Sequence, residues 1–121
     1  MPPDTKSILV IDDEKDACEM VKSFLEAREY TVHTALNGRE GIEAVKNKKP
    51  SLVFLDVKMP GMSGLDVLAE LKKENINVKV ILLTGLAEGE QIDKAKELGI
   101  SGVLTKPIQL AELSKLVKEN I

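Results

Sequence analysis

Five short apolar runs alternate along the chain with stretches whose apolar residues recur at helical spacing. The runs are Ser7–Ile11, Thr31–Ala35, Leu52–Leu55, Val78–Leu83 and Gly102–Leu104. Their length and β-branched content predict strands. The unbroken apolar character of Ile8-Leu9-Val10-Ile11 and Leu52-Val53-Phe54-Leu55 predicts burial on both faces of a parallel sheet. Between the runs, Ala17, Met20, Val21, Phe24 and Leu25 share one face of a first helix. Ile42 and Val45 mark a second helix, which starts after Asn37-Gly38. Leu65, Leu68 and Leu71 mark a third, opened by Ser63-Gly64-Leu65-Asp66 with the spacing of a capping box. Ile92, Ala95 and Leu98 mark a fourth, closed by Gly99, and Leu110, Leu113 and Val117 mark a fifth.

Strict alternation of strand and helix implies a parallel sheet with right-handed crossovers and helices on both faces. The expected fold class is α/β, a (βα)5 flavodoxin-like three-layer sandwich with sheet order 2-1-3-4-5. In that order the winding reverses between the first and third strands. Those are the strands that run into Asp12-Asp13 and Asp56. Residues 1–121 read as one domain, with Met1–Lys6 a frayed tail.

Composition narrows the picture. Hydrophobic residues make up 43% of the 121, enough for a core, and with only Phe24, Phe54 and Tyr30 as aromatics that core is aliphatic. The net charge is -3 with no basic stripe, which argues against direct nucleic-acid binding. Cys18 is the only cysteine, so no intrachain disulfide can form, and a reducing compartment fits. The first residues carry no apolar signal core, and no run approaches the ~20 apolar residues of a membrane helix. The expected location is the cytoplasm, without membrane attachment.

Carboxylates at the carboxyl ends of the first and third strands meet where open α/β sheets bind ligands. Asp12, Asp13 and Asp56 in one crevice repel each other unless a cation joins them. The fourth strand ends at Thr84 and the fifth at Lys106-Pro107, so the same edge gains a hydroxyl and an ammonium. This set suits phosphoryl chemistry: a hard cation on carboxylates, an ammonium to neutralise equatorial oxygens, and a carboxylate able to act as nucleophile. The plainer readings are also physical. Asp12 and Asp13 could cap the first helix, Thr84 and Lys106 could simply end their strands, and Lys58 reads as a solvated side chain. Cys18 falls off the counted apolar face and is expected to be partly exposed; His33 reads as an edge histidine.

Taken together, Asp12-Asp13, the segment Asp56-Val57-Lys58-Met59-Pro60-Gly61-Met62-Ser63-Gly64, Thr84-Gly85 and Lys106-Pro107 resemble a receiver domain of the two-component response regulator family. The resemblance covers nearly the whole chain and is to single-domain receivers, sporulation-phosphorelay-like or chemotaxis-like; Lys-x-Pro-Gly-Met after Asp56 is similar to the sporulation-phosphorelay kind. It implies that Asp56 accepts a phosphoryl group from a sensor histidine kinase or phosphotransfer protein. It implies Mg²⁺, or Mn²⁺ in its place, held by Asp12, Asp13, Asp56 and the backbone carbonyl of Lys58. It implies Thr84 as switch hydroxyl, Lys106 as the phosphate-contacting lysine, and a cis Lys106–Pro107 bond. It further implies a movable segment Gly85-Leu86-Ala87-Glu88-Gly89, and a changed face of helix 4, strand 5 and helix 5. That face would meet a downstream protein, an attached output domain or a second copy in a dimer. On this reading the protein is no enzyme beyond promoting its own phosphoryl transfer and autodephosphorylation.

One position departs from the family. Val103 stands where receivers usually carry an aromatic ring that moves with the threonine, so coupling of the usual form is in question. A degenerate receiver used only for docking is the alternative. A haloacid-dehalogenase-type phosphohydrolase would need an acid where Lys58 stands, and a flavin-binding module would need a phosphate-cradling loop where Asp12-Asp13-Glu14 would repel phosphate.

Overall fold

A computed structural model describes residues 6–85 and 89–121. Five parallel strands, β1 (Ser7–Ile11), β2 (Thr31–Ala35), β3 (Leu52–Asp56), β4 (Lys79–Thr84) and β5 (Gly102–Thr105), form one sheet in the order β2-β1-β3-β4-β5. Helices α1 (Lys15–Glu26), α2 (Gly38–Lys48), α3 (Gly64–Lys73), α4 (Gly89–Leu98) and α5 (Leu110–Asn120) connect and follow them. The expected order and the switch point between β1 and β3 are therefore present. β3 and β4 each run one residue further than the apolar runs suggested, and so include Asp56 and Thr84.

The sheet separates two aliphatic cores. Alternate strand residues Leu9, Ile11, Val53, Leu55, Val80 and Leu82 face α2, α3 and α4; Ile8, Val10, Leu52, Phe54, Ile81 and Leu83 face α1 and α5. β1 and β3 are buried on both sides, which is why their sequences show no polar alternation. Helix ends follow their residues. Asn37 caps α2 by accepting from Glu40 N at 2.9 Å, Ser63 and Asp66 complete a reciprocal box at the start of α3, and Gly99 follows α4 with φ +96.

Two expectations about helix faces need correction. α1 meets the sheet with Cys18, Val21 and Leu25, so Cys18 is buried (1% exposed) and Met20 is 41% exposed. The stripe is rotated because the i, i+3, i+7 set including the small thiol lies nearest the sheet, where Met20 had been counted inward. Leu110 is likewise exposed, and α5 packs through Leu113 and Val117. Residues 1–5 of the expected tail, and 86–88 of the expected movable segment, lie outside the described residues.

Candidate functional site

The site forms because register carries strand tips to one edge. Ile11 pairs with Leu55, so Asp12 and Asp56 follow side by side; Asp56 pairs with Leu83, and Thr84 with Thr105. Backbone bonds extend the ladders just past the last strand residues. Asp12 N donates to Ala35 O at 3.1 Å, Val57 N to Leu83 O at 3.0 Å, and Lys106 N to Thr84 O at 2.7 Å. The β3–α3 loop then closes on itself through Gly64 N to Val57 O at 2.8 Å. A Cβ on Gly64 would collide with Asp56 O, so only glycine lets α3 start this close to the tip of β3.

Asp12, Asp13 and Asp56 each offer a carboxylate oxygen, and these oxygens all lie within 4.8 Å of one another. Asp12 is fully buried, Asp56 is nearly so, and Asp13 is exposed. Lys106 Nζ sits 3.0 Å from Asp12 Oδ2, 3.3 Å from Asp56 Oδ2 and 3.3 Å from Glu14 Oε1. Asp12 Oδ1 accepts from Glu14 N at 3.0 Å, whereas its buried Oδ2 has the Lys106 contact but no hydrogen bond of good geometry. Thr84 is buried, and its hydroxyl donates to Gly85 O at 3.1 Å. Lys58 is exposed and lines, with Asp13, Met59, Pro60, Ser63 and Gln91, a cavity of about 460 Å³ beside the acids. Val103 is half-buried against the core on the α2–α4 side, and the Lys106–Pro107 bond is cis.

The electrostatics follow from this burial. Loss of solvent, and then the charge of Asp12, push Asp56 up to about 7, with Lys106 pulling the other way. Burial works against the charge on Lys106, but Asp12 and Asp56 outweigh it and hold its ammonium above the ordinary lysine range. Three clustered carboxylates, one with an under-satisfied buried oxygen, fit a hard divalent cation: the donors are all oxygen and the cluster carries surplus negative charge.

All the residues expected at the site from strands β1, β3, β4 and β5 therefore reach one edge. The capping reading changes: Glu14 is the N-cap of α1 and makes no side-chain cap, while Asp12 accepts its N–H. Three contributors were not foreseen. Cys18 Sγ donates to the Asp12 backbone carbonyl at 3.3 Å, Glu14 pairs with Lys106, and Gly64 sits against Asp56. Only Gly64 left a trace in the chain, as a glycine directly after a helix-capping serine.

A parallel sheet with an acidic cluster at its switch point and a lysine reaching it from the edge strand suits a phosphoryl-accepting signalling class, and comparison with known proteins agrees. Residues 8–118 match the response regulator receiver domain, and the chain belongs to that family. It is 32% identical over 114 residues to sporulation initiation phosphotransferase F of Bacillus subtilis, covering 94% of this chain and 92% of that protein. It is 35% identical over 115 residues to the alkaline phosphatase synthesis transcriptional regulatory protein PhoP of Bacillus subtilis; this covers 93% of the chain but 47% of PhoP, about half its length. The structure of chemotaxis protein CheY4 of Vibrio cholerae superposes with a TM-score of 0.87 at 26% identity, covering 97% of this chain and 99% of that one. The chain is a phosphorylation-activated signalling switch of the two-component type. No helix among the described residues is long and apolar enough to cross a membrane.

Proposed function

We propose that Asp56 is the phosphoacceptor and that a sensor histidine kinase or a phosphotransfer protein is the donor. One observation carries this reading: oxygens of Asp12, Asp13 and Asp56 converge within 4.8 Å, with Lys106 Nζ 3.3 Å from Asp56 Oδ2. An Asp56 oxygen attacks the phosphorus of a phosphohistidine. The P–N bond breaks, its electron pair leaves on the imidazole, and an aspartyl phosphate forms. Lys106 neutralises charge on the equatorial oxygens as it is spread there in transfer. Asp12, Asp13, Asp56 and the Lys58 carbonyl would hold Mg²⁺, with Mn²⁺ as substitute. When bound, that ion supplies positive charge for the phosphoryl oxygens.

Thr84 exchanges its Gly85 contact for the new phosphoryl oxygens, which shifts a population the protein already samples. The readout is a displacement of the α4-β5-α5 face, reached without the swing of a ring because Val103 stands at the usual aromatic position. That face meets a downstream protein, an attached output domain or a second copy of the chain. The protein turns over no separate substrate and promotes only its own transfer and autodephosphorylation. Its single, unbridged cysteine suits the cytoplasm.

Incubation with acetyl phosphate, with and without Mg²⁺, tests the assignment by intact-mass measurement. A base-labile phosphoryl adduct is expected only with the metal, and Asp56→Asn abolishes it. An alkali-stable adduct, or none with Mg²⁺ present, overturns the assignment.

A further inference from the structure

Lys106 has a third carboxylate neighbour that the acidic cluster does not require. Glu14 Oε1 lies 3.3 Å from its ammonium, while the Glu14 backbone N–H donates to Asp12 Oδ1 at 3.0 Å. Glu14 is thus fixed at its backbone by one expected metal ligand, and its side chain reaches across the crevice to the lysine of another strand. Its side chain makes no capping bond at the start of α1, and its carboxylate turns instead to Lys106. The side chain is 67% exposed, so the contact is the outermost of the three that Lys106 makes.

We propose that Glu14 is a positioning residue that steadies the Lys106 ammonium from the outer side of the crevice until a phosphoryl group displaces the Glu14 carboxylate. This rests on the assignment of Asp56 as acceptor. To contact a phosphoryl oxygen, Lys106 must give up carboxylate contacts. The pair to buried Asp12 is retained in a dry setting, whereas the pair to Glu14 is solvated and weak, and is the one released first. Glu14 therefore competes with the incoming group for the same cation and sets how readily the crevice captures it.

The test uses the full chain in three variants. Glu14→Gln removes the charge and keeps the length. Glu14→Asp keeps the charge and shortens the reach by one carbon–carbon bond, about 1.5 Å. Asp16→Asn removes an exposed first-turn charge on the same helix. Two readouts are taken: the side-chain ammonium signal of Lys106 by proton–nitrogen NMR without metal, and the rate of Asp56 phosphorylation by acetyl phosphate with Mg²⁺.

Both Glu14 variants are expected to speed solvent exchange of the Lys106 ammonium. Both are expected to raise the phosphorylation rate about two- to fivefold at low salt, the size an exposed ion pair allows. That gain fades near 1 M salt, where the screening length is about 3 Å. Asp16→Asn leaves both readouts unchanged. If Glu14→Asp behaves like the parent, or Asp16→Asn matches Glu14→Gln, only the local field matters and positioning is refuted. An unchanged Lys106 signal in Glu14→Gln also refutes it. A parent that takes no phosphoryl group overturns the Asp56 assignment and Glu14's role with it; a parent modified normally beside silent Glu14 variants overturns Glu14 alone.

Discussion

Replacing Asp56 by Asn should stabilise the metal-free protein, and the gain should depend on pH. Asp56 is 5% exposed beside fully buried Asp12, and that environment raises its carboxyl from 3.8 to about 7. The folded-state value lies above the unfolded one, so between about pH 4 and pH 7 the native state binds more protons than the unfolded chain. Parent stability therefore falls as pH rises through that window, and the loss is complete above about pH 7. At about 1.36 kcal/mol per pH unit of displacement, the ceiling on the penalty at pH 8 is about 4 kcal/mol. The buried amide put in its place still costs desolvation, which trims the gain and leaves an expected advantage for Asp56→Asn of about 2–4 kcal/mol at pH 8 and close to zero near pH 4. The assay is urea denaturation in EDTA, followed by far-ultraviolet circular dichroism because the chain has no tryptophan. Taking the difference between variant and parent at each pH cancels the other titrating groups. A difference that does not grow with pH, or a variant less stable than the parent at pH 8 with equal m-values, refutes the burial argument.

Three further outcomes follow from the same geometry. Lys106→Met leaves Asp12 and Asp56 without their counter-charge and should lower metal-free stability by about 1–3 kcal/mol at neutral pH, measured by the same denaturation. Because the folded-state value of Lys106 is raised, its contribution is fully present below about 10.5, the unfolded value, and is lost only as pH rises through the folded one. Gly64→Ala forces a methyl onto Asp56 O and Val57 Cα, both backbone, and should cost more than about 2 kcal/mol in a thermal melt and slow acetyl phosphate labelling. Burial and the charge of Asp12 push the Cys18 thiol up to about 11, so a thiol-disulfide reagent at neutral pH should label the native protein far more slowly than the urea-unfolded chain; equal rates would mean the thiol is accessible.

The strand-and-helix alternation was readable because β1 and β3 are buried on both faces and leave apolar runs no amphipathic helix would produce. The site was readable for a related reason. Each of its main residues stands where an apolar run stops, and parallel register sends all those stops to one edge. What escaped the pattern depends on how elements dock. Helical spacing alone does not distinguish Met20 from Cys18 as the inward residue of α1, because the two differ by a rotation that only the sheet decides. The pairing of Glu14 with Lys106 joins residues 92 positions apart and has no periodic signature. The closeness of Gly64 to Asp56 likewise appears only once the β3–α3 loop folds back on Val57.

Asp56 and Lys106 end strands of very different standing. β3 is laddered on both sides, to β1 and β4, whereas β5 is a four-residue margin of the sheet whose only strand partner among the described residues is β4. The proposed acceptor is thus bolted to the centre of the scaffold and its counter-charge is hung on the rim. On that assignment, a phosphoryl group arriving between them meets one wall laddered on both sides and one laddered on a single side. Capture is then expected to displace the β5 side more than β3, a difference built into the strand order itself.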